Sequence, residues 1–123
     1  MHRHIGRPLA LPSKAKRRQA SKIAEIRGAL VAAGFDSAAK QAIVLGVKRS
    51  TAWALLNRDK RVGPSAKIIK RILSSPHLPA AARRRVEEYI EEKIDGVYGH
   101  SDSRRQWFRD QFHIRAHANE NQT

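Results

Sequence analysis

The chain has no cysteine among its 123 residues. That excludes a disulfide framework and any zinc site built on thiolates. Aromatic residues are scarce, at 6%. No apolar run approaches the roughly 18 residues that a membrane-spanning helix needs. Acidic residues are also few, with 11 Asp and Glu against 25 Lys and Arg, leaving a net charge of +14. Phosphate-cradling glycine loops, nucleophile elbows and paired-carboxylate sites are missing. The sequence therefore suggests no enzyme and implies no cofactor or metal. Residues 5–12 are too short and too broken to form the apolar core of a secretory signal, so a cytoplasmic, nucleoid-associated protein is expected.

What is present is a strong positive charge, unevenly spread. Residues 1–85 hold 20 Lys and Arg against 3 Asp and Glu, a net +17, whereas residues 86–123 hold 5 against 8, a net −3. A split of this size points to a polyanion bound by the first two-thirds of the chain. The basic segments have no Leu-rich or aromatic insertion face, which favours nucleic acid over a membrane surface. Hydrophobic residues make up 41% of the chain, enough for a folded domain with one modest core.

Periodicity predicts an all-α protein, a compact bundle of five to six helices with a flexible basic N-terminal arm. The arm covers residues 1–15, where Gly6, Pro8 and Pro12 interrupt any period. A first helix is expected over 16–33, with Ala20, Ile23, Ala24, Leu30 and Val31 as its apolar stripe, Arg27 snorkelling at the stripe's edge, and Gly34 ending it. Asp36 or Ser37 caps a second helix that runs to Leu45. Gly46 turns the chain into a third helix reaching Asn57. Pro64 and Ser65 open a fourth, carrying Ile68, Ile69, Ile72 and Leu73. A fifth runs from Pro79 to Ile94, with Val86, Tyr89, Ile90 and Ile94 facing the core. A sixth runs from Asp102 or Ser103 to about His113, with Trp107, Phe108 and Phe112. The expected organisation is an arm at 1–15, a helix-turn-helix DNA-binding domain at 16–75, C-terminal helices at 76–115 that serve oligomerisation, and a disordered tail at 116–123.

Residues 38–57 carry most of the functional information. They read as two short helices joined at Gly46, where glycine most easily adopts a positive φ. Ala42 is small, as a close helix crossing requires. Leu45, Val47, Ala52 and Leu55 are spaced to face the junction and the core. Lys48, Arg49, Ser50, Thr51, Trp53, Ala54 and Asn57 start or line the other side of the third helix. Those types suit DNA. Arginine forks onto guanine, serine and asparagine bond to base edges or phosphates, and alanine lies against a thymine methyl. Two placements are open to Trp53: outward against a sugar or thymine methyl, or folded back into the core.

Ala42, Leu45-Gly46-Val47, Arg49-Ser50-Thr51, Leu55 and Asn57 make this segment resemble the helix-turn-helix of the lambda-repressor/Cro-like family of prokaryotic and phage regulators. The resemblance covers about residues 16–75. It implies a bundle of about five helices with Arg49, Ser50, Trp53, Ala54 and Asn57 at DNA-reading positions. Two residues depart from the family pattern: Ala52 stands where a larger aliphatic is usual, and Gln41 where an apolar residue is frequent.

Other basic residues extend the candidate site. Lys14, Lys16, Arg17 and Arg18, at the junction of arm and first helix, are placed to track phosphate or enter a minor groove. Arg58, Lys60 and Arg61 follow the third helix and are assigned to phosphate, with Lys67, Lys70 and Arg71 beyond them. Arg83, Arg84 and Arg85, with Glu87, Glu88, Glu91 and Glu92 after them, read as a solvated charged face with i,i+4 pairs such as Arg84–Glu88; the sharper alternative is that the acidic stretch pairs with the basic part of a second protomer. His113 and His117 are four apart, but no third ligand or adjacent glutamate makes them a zinc site. The function expected is that of a sequence-specific transcriptional regulator, a repressor, binding double-stranded DNA as a homodimer. The alternatives are an antitoxin-like protein whose C-terminal helices bind a protein partner, and the targeting domain of a recombinase or transposase. Against the last, Tyr89 reads as core and Tyr98 falls in a glycine-rich turn.

Overall fold

Four hydroxyl side chains cap helix starts. Ser13 Oγ accepts from the Lys16 N–H at 3.2 Å, Ser37 Oγ from Lys40 at 3.2 Å, Ser65 Oγ from Ile68 at 3.3 Å, and Ser101 Oγ from Arg104 at 3.3 Å. Each satisfies one of the donors that a helix N-terminus leaves orphaned. In the computed structural model, which describes residues 13–57 and 63–112, the helices are α1 Lys14–Ala32, α2 Ala38–Leu45, α3 Arg49–Asn57, α4 Ala66–Leu73, α5 Ala80–Ile94 and α6 Asp102–Phe112. They form one compact bundle, with no strand among the described residues.

The Ser13 cap corrects the expected arm boundary. α1 begins at Lys14, so Lys14, Lys16, Arg17 and Arg18 belong to its first turns rather than to a loose junction. The rest of the expected arm lies outside the described residues, as do the 116–123 tail, His113 and His117.

The buried face of α1 also differs from the apolar stripe expected of it. Gln19, Lys22, Ile26 and Leu30 are buried, while Ala20, Ala24 and Val31 are exposed. The polar half of that face is held by α5. Tyr89 Oη donates to Gln19 Oε1 at 2.9 Å, and Lys22 Nζ donates to Glu88 at 2.8 Å. Polar core groups with partners are tolerated where unpartnered ones would be costly.

One continuous cluster runs from Ile26 and Leu30 through Leu45, Ala52, Leu56 and Ile69 to Val86, Ile90, Tyr98 and Phe108. The last helices therefore share the core of the first ones. Tyr98 is fully buried despite its glycine-rich turn, stacked on Tyr89 with ring centroids 5.2 Å apart. Two arginines close helix ends: Arg83 Nη2 donates to Leu73 O at 2.9 Å and Arg105 Nε to Ile94 O at 2.8 Å. Each meets the negative end of a helix dipole.

Candidate nucleic-acid interface

α2 and α3 are joined by the tightest turn of the bundle. Gly46 has φ 74°, and Val47 N–H reaches back to Ala42 O at 3.1 Å. A left-handed residue followed by a six-to-one bond is a Schellman ending, which lets the next helix start within three residues. The turn is anchored from outside. Ser75 Oγ donates to Val44 O at 2.6 Å, satisfying a carbonyl at the C-terminal end of α2 from 31 residues away. The expected departure at Gln41 is explained too: it is buried, and its Nε2 donates to Phe35 O at 2.9 Å.

α3 divides cleanly. Ala52, Leu55 and Leu56 are buried, and Ala52 is fully so, which leaves no room there for the larger aliphatic. Lys48, Arg49, Ser50, Trp53 and Asn57 are exposed, and Thr51 and Ala54 are half-buried at the flanks. Trp53 takes the outward placement, with 49% of its surface exposed. Ser50, Thr51 and Ala54 also border a groove of about 540 Å³ whose far wall is Pro64, Ser65 and Ile68. No Asp or Glu occurs between residues 37 and 57, so the outer face of this pair is free of negative charge.

Two findings sharpen the residue assignments. Asn57 is already engaged: its Oδ1 accepts from Arg27 Nη1 at 3.0 Å and its Nδ2 donates to Trp53 O at 3.2 Å. Arg27, read from sequence as the snorkelling edge of α1, thus stands beside the end of α3. An exposed arginine whose neighbour comes from another helix leaves no mark in local periodicity. The Lys14, Lys16, Arg17 and Arg18 group stands at the opposite end of α1. Arg17 is ten residues from Arg27, about 15 Å along the axis at 1.5 Å per residue. That group therefore stands about 15 Å along α1 from the Arg27–Asn57 contact. Arg58, Lys60 and Arg61 lie outside the described residues.

The charged residues of α5 pair differently from expectation. Glu88 bonds Lys22 and Arg85 rather than Arg84, with Arg85 Nη1 at 2.9 Å. Lys22 Nζ also reaches Glu25 at 2.9 Å and Glu92 at 3.6 Å. Burial pulls the Lys22 amine down, but its bonds to Glu88 and Glu25 outweigh that and hold it above the usual lysine value. Lys22 and then Arg85 hold the Glu88 carboxyl below its usual value. Among the described residues no group of three or more His, Asp or Glu is arranged to hold a metal, and no helix is long and apolar enough to cross a membrane. No family model matches the chain, and no curated protein or solved structure matches it either.

Proposed function

We propose that this protein is a sequence-specific DNA-binding regulator that reads the major groove with α3, the α2–α3 pair acting as a helix-turn-helix. The observation that carries this reading is the outer face of α3. Arg49, Ser50 and Trp53 project from a nine-residue helix whose inner face is locked by Ala52, Leu55 and Leu56. Such a helix is about 10–12 Å across with its side chains, which fits a major groove about 12 Å wide. The positive charge of the surrounding chain supplies capture, and Arg49 supplies bidentate readout of guanine. Ser50 and Trp53 border that contact, and Lys48 and Thr51 at the start of α3 are placed for phosphate.

Asn57, bonded to Arg27 and to the Trp53 carbonyl, acts in this reading as a clamp that orients the helix end. One helix of this length reads only a few base pairs, so a dimer on a two-fold site is the natural unit. The test is selection of bound sequences from random double-stranded DNA, followed by Arg49→Ala. The wild-type chain should enrich a two-fold motif. The variant should lose about 1–3 kcal/mol of discrimination at one base position of each half-site and keep its helical content. A chain that enriches no motif, or an Arg49→Ala variant that discriminates as well as wild type, refutes the assignment.

A further inference from the structure

The 63–66 segment, the end of α5 and α6 line a cavity of about 520 Å³, which shares Pro64 and Ser65 with the groove beside α3. Its volume falls within the range of small-molecule sites. Its lining has two characters. Pro64, Ala66, Trp107 and Phe108 present apolar surface, while Lys93, His100 and the exposed Arg104 present nitrogen atoms and Ser103 a hydroxyl. Trp107 is 57% exposed, an unusual position for the largest apolar side chain unless something covers it.

Lys93 is 9% exposed, and its Nζ stands 4.4 Å from the centroid of the Phe108 ring and 5.8 Å from that of Tyr89. Among the described residues no carboxylate pairs with it. Two acids of the same region are committed elsewhere: Glu92 accepts from Tyr98 Oη at 2.5 Å and reaches Lys22, and Asp102 pairs with Arg105 at 2.9 Å. His100 Nδ1 and Nε2 are both buried and have no hydrogen-bond partner among the described residues. Burial, then Arg104 and Lys16, push the Lys93 amine down to about 8. Burial, then Lys93, Lys16 and Arg104, push the His100 imidazole down to about 4. Ring faces offset part of the cost of an unpaired ammonium, but they satisfy neither its remaining N–H donors nor the imidazole. The first turn of α4 opens on the same cavity at Ser65 and Ala66, adding the positive end of a helix dipole.

We propose that this cavity is a binding site for a small aromatic carboxylate, with the carboxylate on Lys93 and His100 and the ring against Trp107 and Phe108. The buried ammonium and imidazole, with the exposed Arg104 guanidinium beside them, suit a carboxylate. The apolar share of the wall requires an apolar body behind it, which a bare inorganic anion lacks. Such a site is independent of DNA binding.

The experiment uses the full chain with 2-naphthoate and its neutral counterpart 2-naphthamide as probes, followed by titration calorimetry. In a Trp53→Phe background Trp107 is the sole tryptophan, so its fluorescence reports the cavity directly. Naphthoate should bind at least about tenfold tighter than the amide, quench Trp107, and take up protons at pH 8.5 as the carboxylate returns Lys93 to its charged form. Lys93→Met should abolish the preference for the acid while staying folded, because it removes an unpaired charge and no hydrogen bond. Lys93→Arg, which keeps the charge, should retain the preference. Equal binding of acid and amide, undiminished naphthoate binding to Lys93→Met, or no naphthoate binding at all would overturn the proposal.

Discussion

Lys22 and Lys93 are buried to nearly the same depth, 8% and 9% exposed, and one lies on α1, the other on the helix packed against it. Their surroundings are opposite. Lys22 sits among Glu25, Glu88 and Glu92, all within 3.6 Å of its Nζ. Lys93 sits on two aromatic rings with Arg104 and Lys16 as its charged neighbours. One amine is held above its usual value and the other is pushed down to about 8. Burial alone therefore says little about what a lysine does. The first is a tie between α1 and α5. The second is a charge without a counter-ion among the described residues, a feature often found at sites rather than struts.

The same substitution at both positions should give opposite signs. Lys22→Met removes the common partner of three carboxylates and leaves them facing one another. Those carboxylates are a third or more exposed, so water softens the loss. A destabilisation of about 1–3 kcal/mol is expected in urea unfolding at pH 7. Lys93→Met replaces an unpaired ammonium with an apolar side chain of similar length. It should stabilise by about 1–2 kcal/mol under the same conditions. If both variants were destabilised alike, the contrast between the two sites would be false.

The pH dependence sharpens the contrast further. Lys93 titrates near 8 when folded and near 10.5 when unfolded, so between those values the unfolded chain holds more protons. Stability should therefore rise with pH from about 8 toward 10. Burial holds Tyr89 and Tyr98 neutral beyond their usual range, so the unfolded chain loses those protons first and stability should fall above about pH 10. Lys93→Met should flatten the rising limb and leave the falling one. A rising limb of unchanged height in that variant would assign it to another group. On the acid side, His100 titrates near 4 when folded against 6.5 unfolded. Its share of stability is full above pH 6.5 and is lost as pH falls toward 4. Its replacement by Gln should remove that component of the acid limb.

The punctuation of this fold was legible in the sequence. Ser37 and Ser65 cap the helices they were expected to cap, and Gly46 adopts the left-handed turn. The faces of α3 were legible as well, because Ala52 and Leu55 stand three apart on one side and are buried. The buried face of α1 was not. Apolar periodicity looks for apolar residues, and Gln19 and Lys22 are in the core only because Tyr89 and Glu88 arrive 70 and 66 residues later. Lys93 was hidden in part for the same reason: the ring nearest its Nζ, Phe108, arrives 15 residues later on α6. Gly63 adds a case of close approach. A Cβ there would strike the Tyr89 hydroxyl and lie 2.8 Å from Gln19 Oε1. With its φ of 72°, that strongly favours glycine just before α4.

The smallest expected effects divide the Lys22 cluster among its acids. Glu88 accepts from both Lys22 and Arg85, at 2.8 and 2.9 Å. Glu25 shares Lys22 at 2.9 Å but lies 3.8 Å from Arg85 and is the more exposed of the two. Glu88→Gln should therefore lower the urea midpoint more than Glu25→Gln, and added salt should narrow the gap because both carboxylates face water. The Glu88 carboxyl is held below its usual 4.5, so its contribution is complete above that pH and disappears as pH falls through the lowered value. Glu88→Gln should consequently remove part of the acid sensitivity expected below pH 4.5, where Glu25→Gln has the smaller effect. If Glu88→Gln and Glu25→Gln were equivalent at every pH and salt concentration, the tie between α1 and α5 would be a diffuse field around Lys22 rather than a bond centred on Glu88.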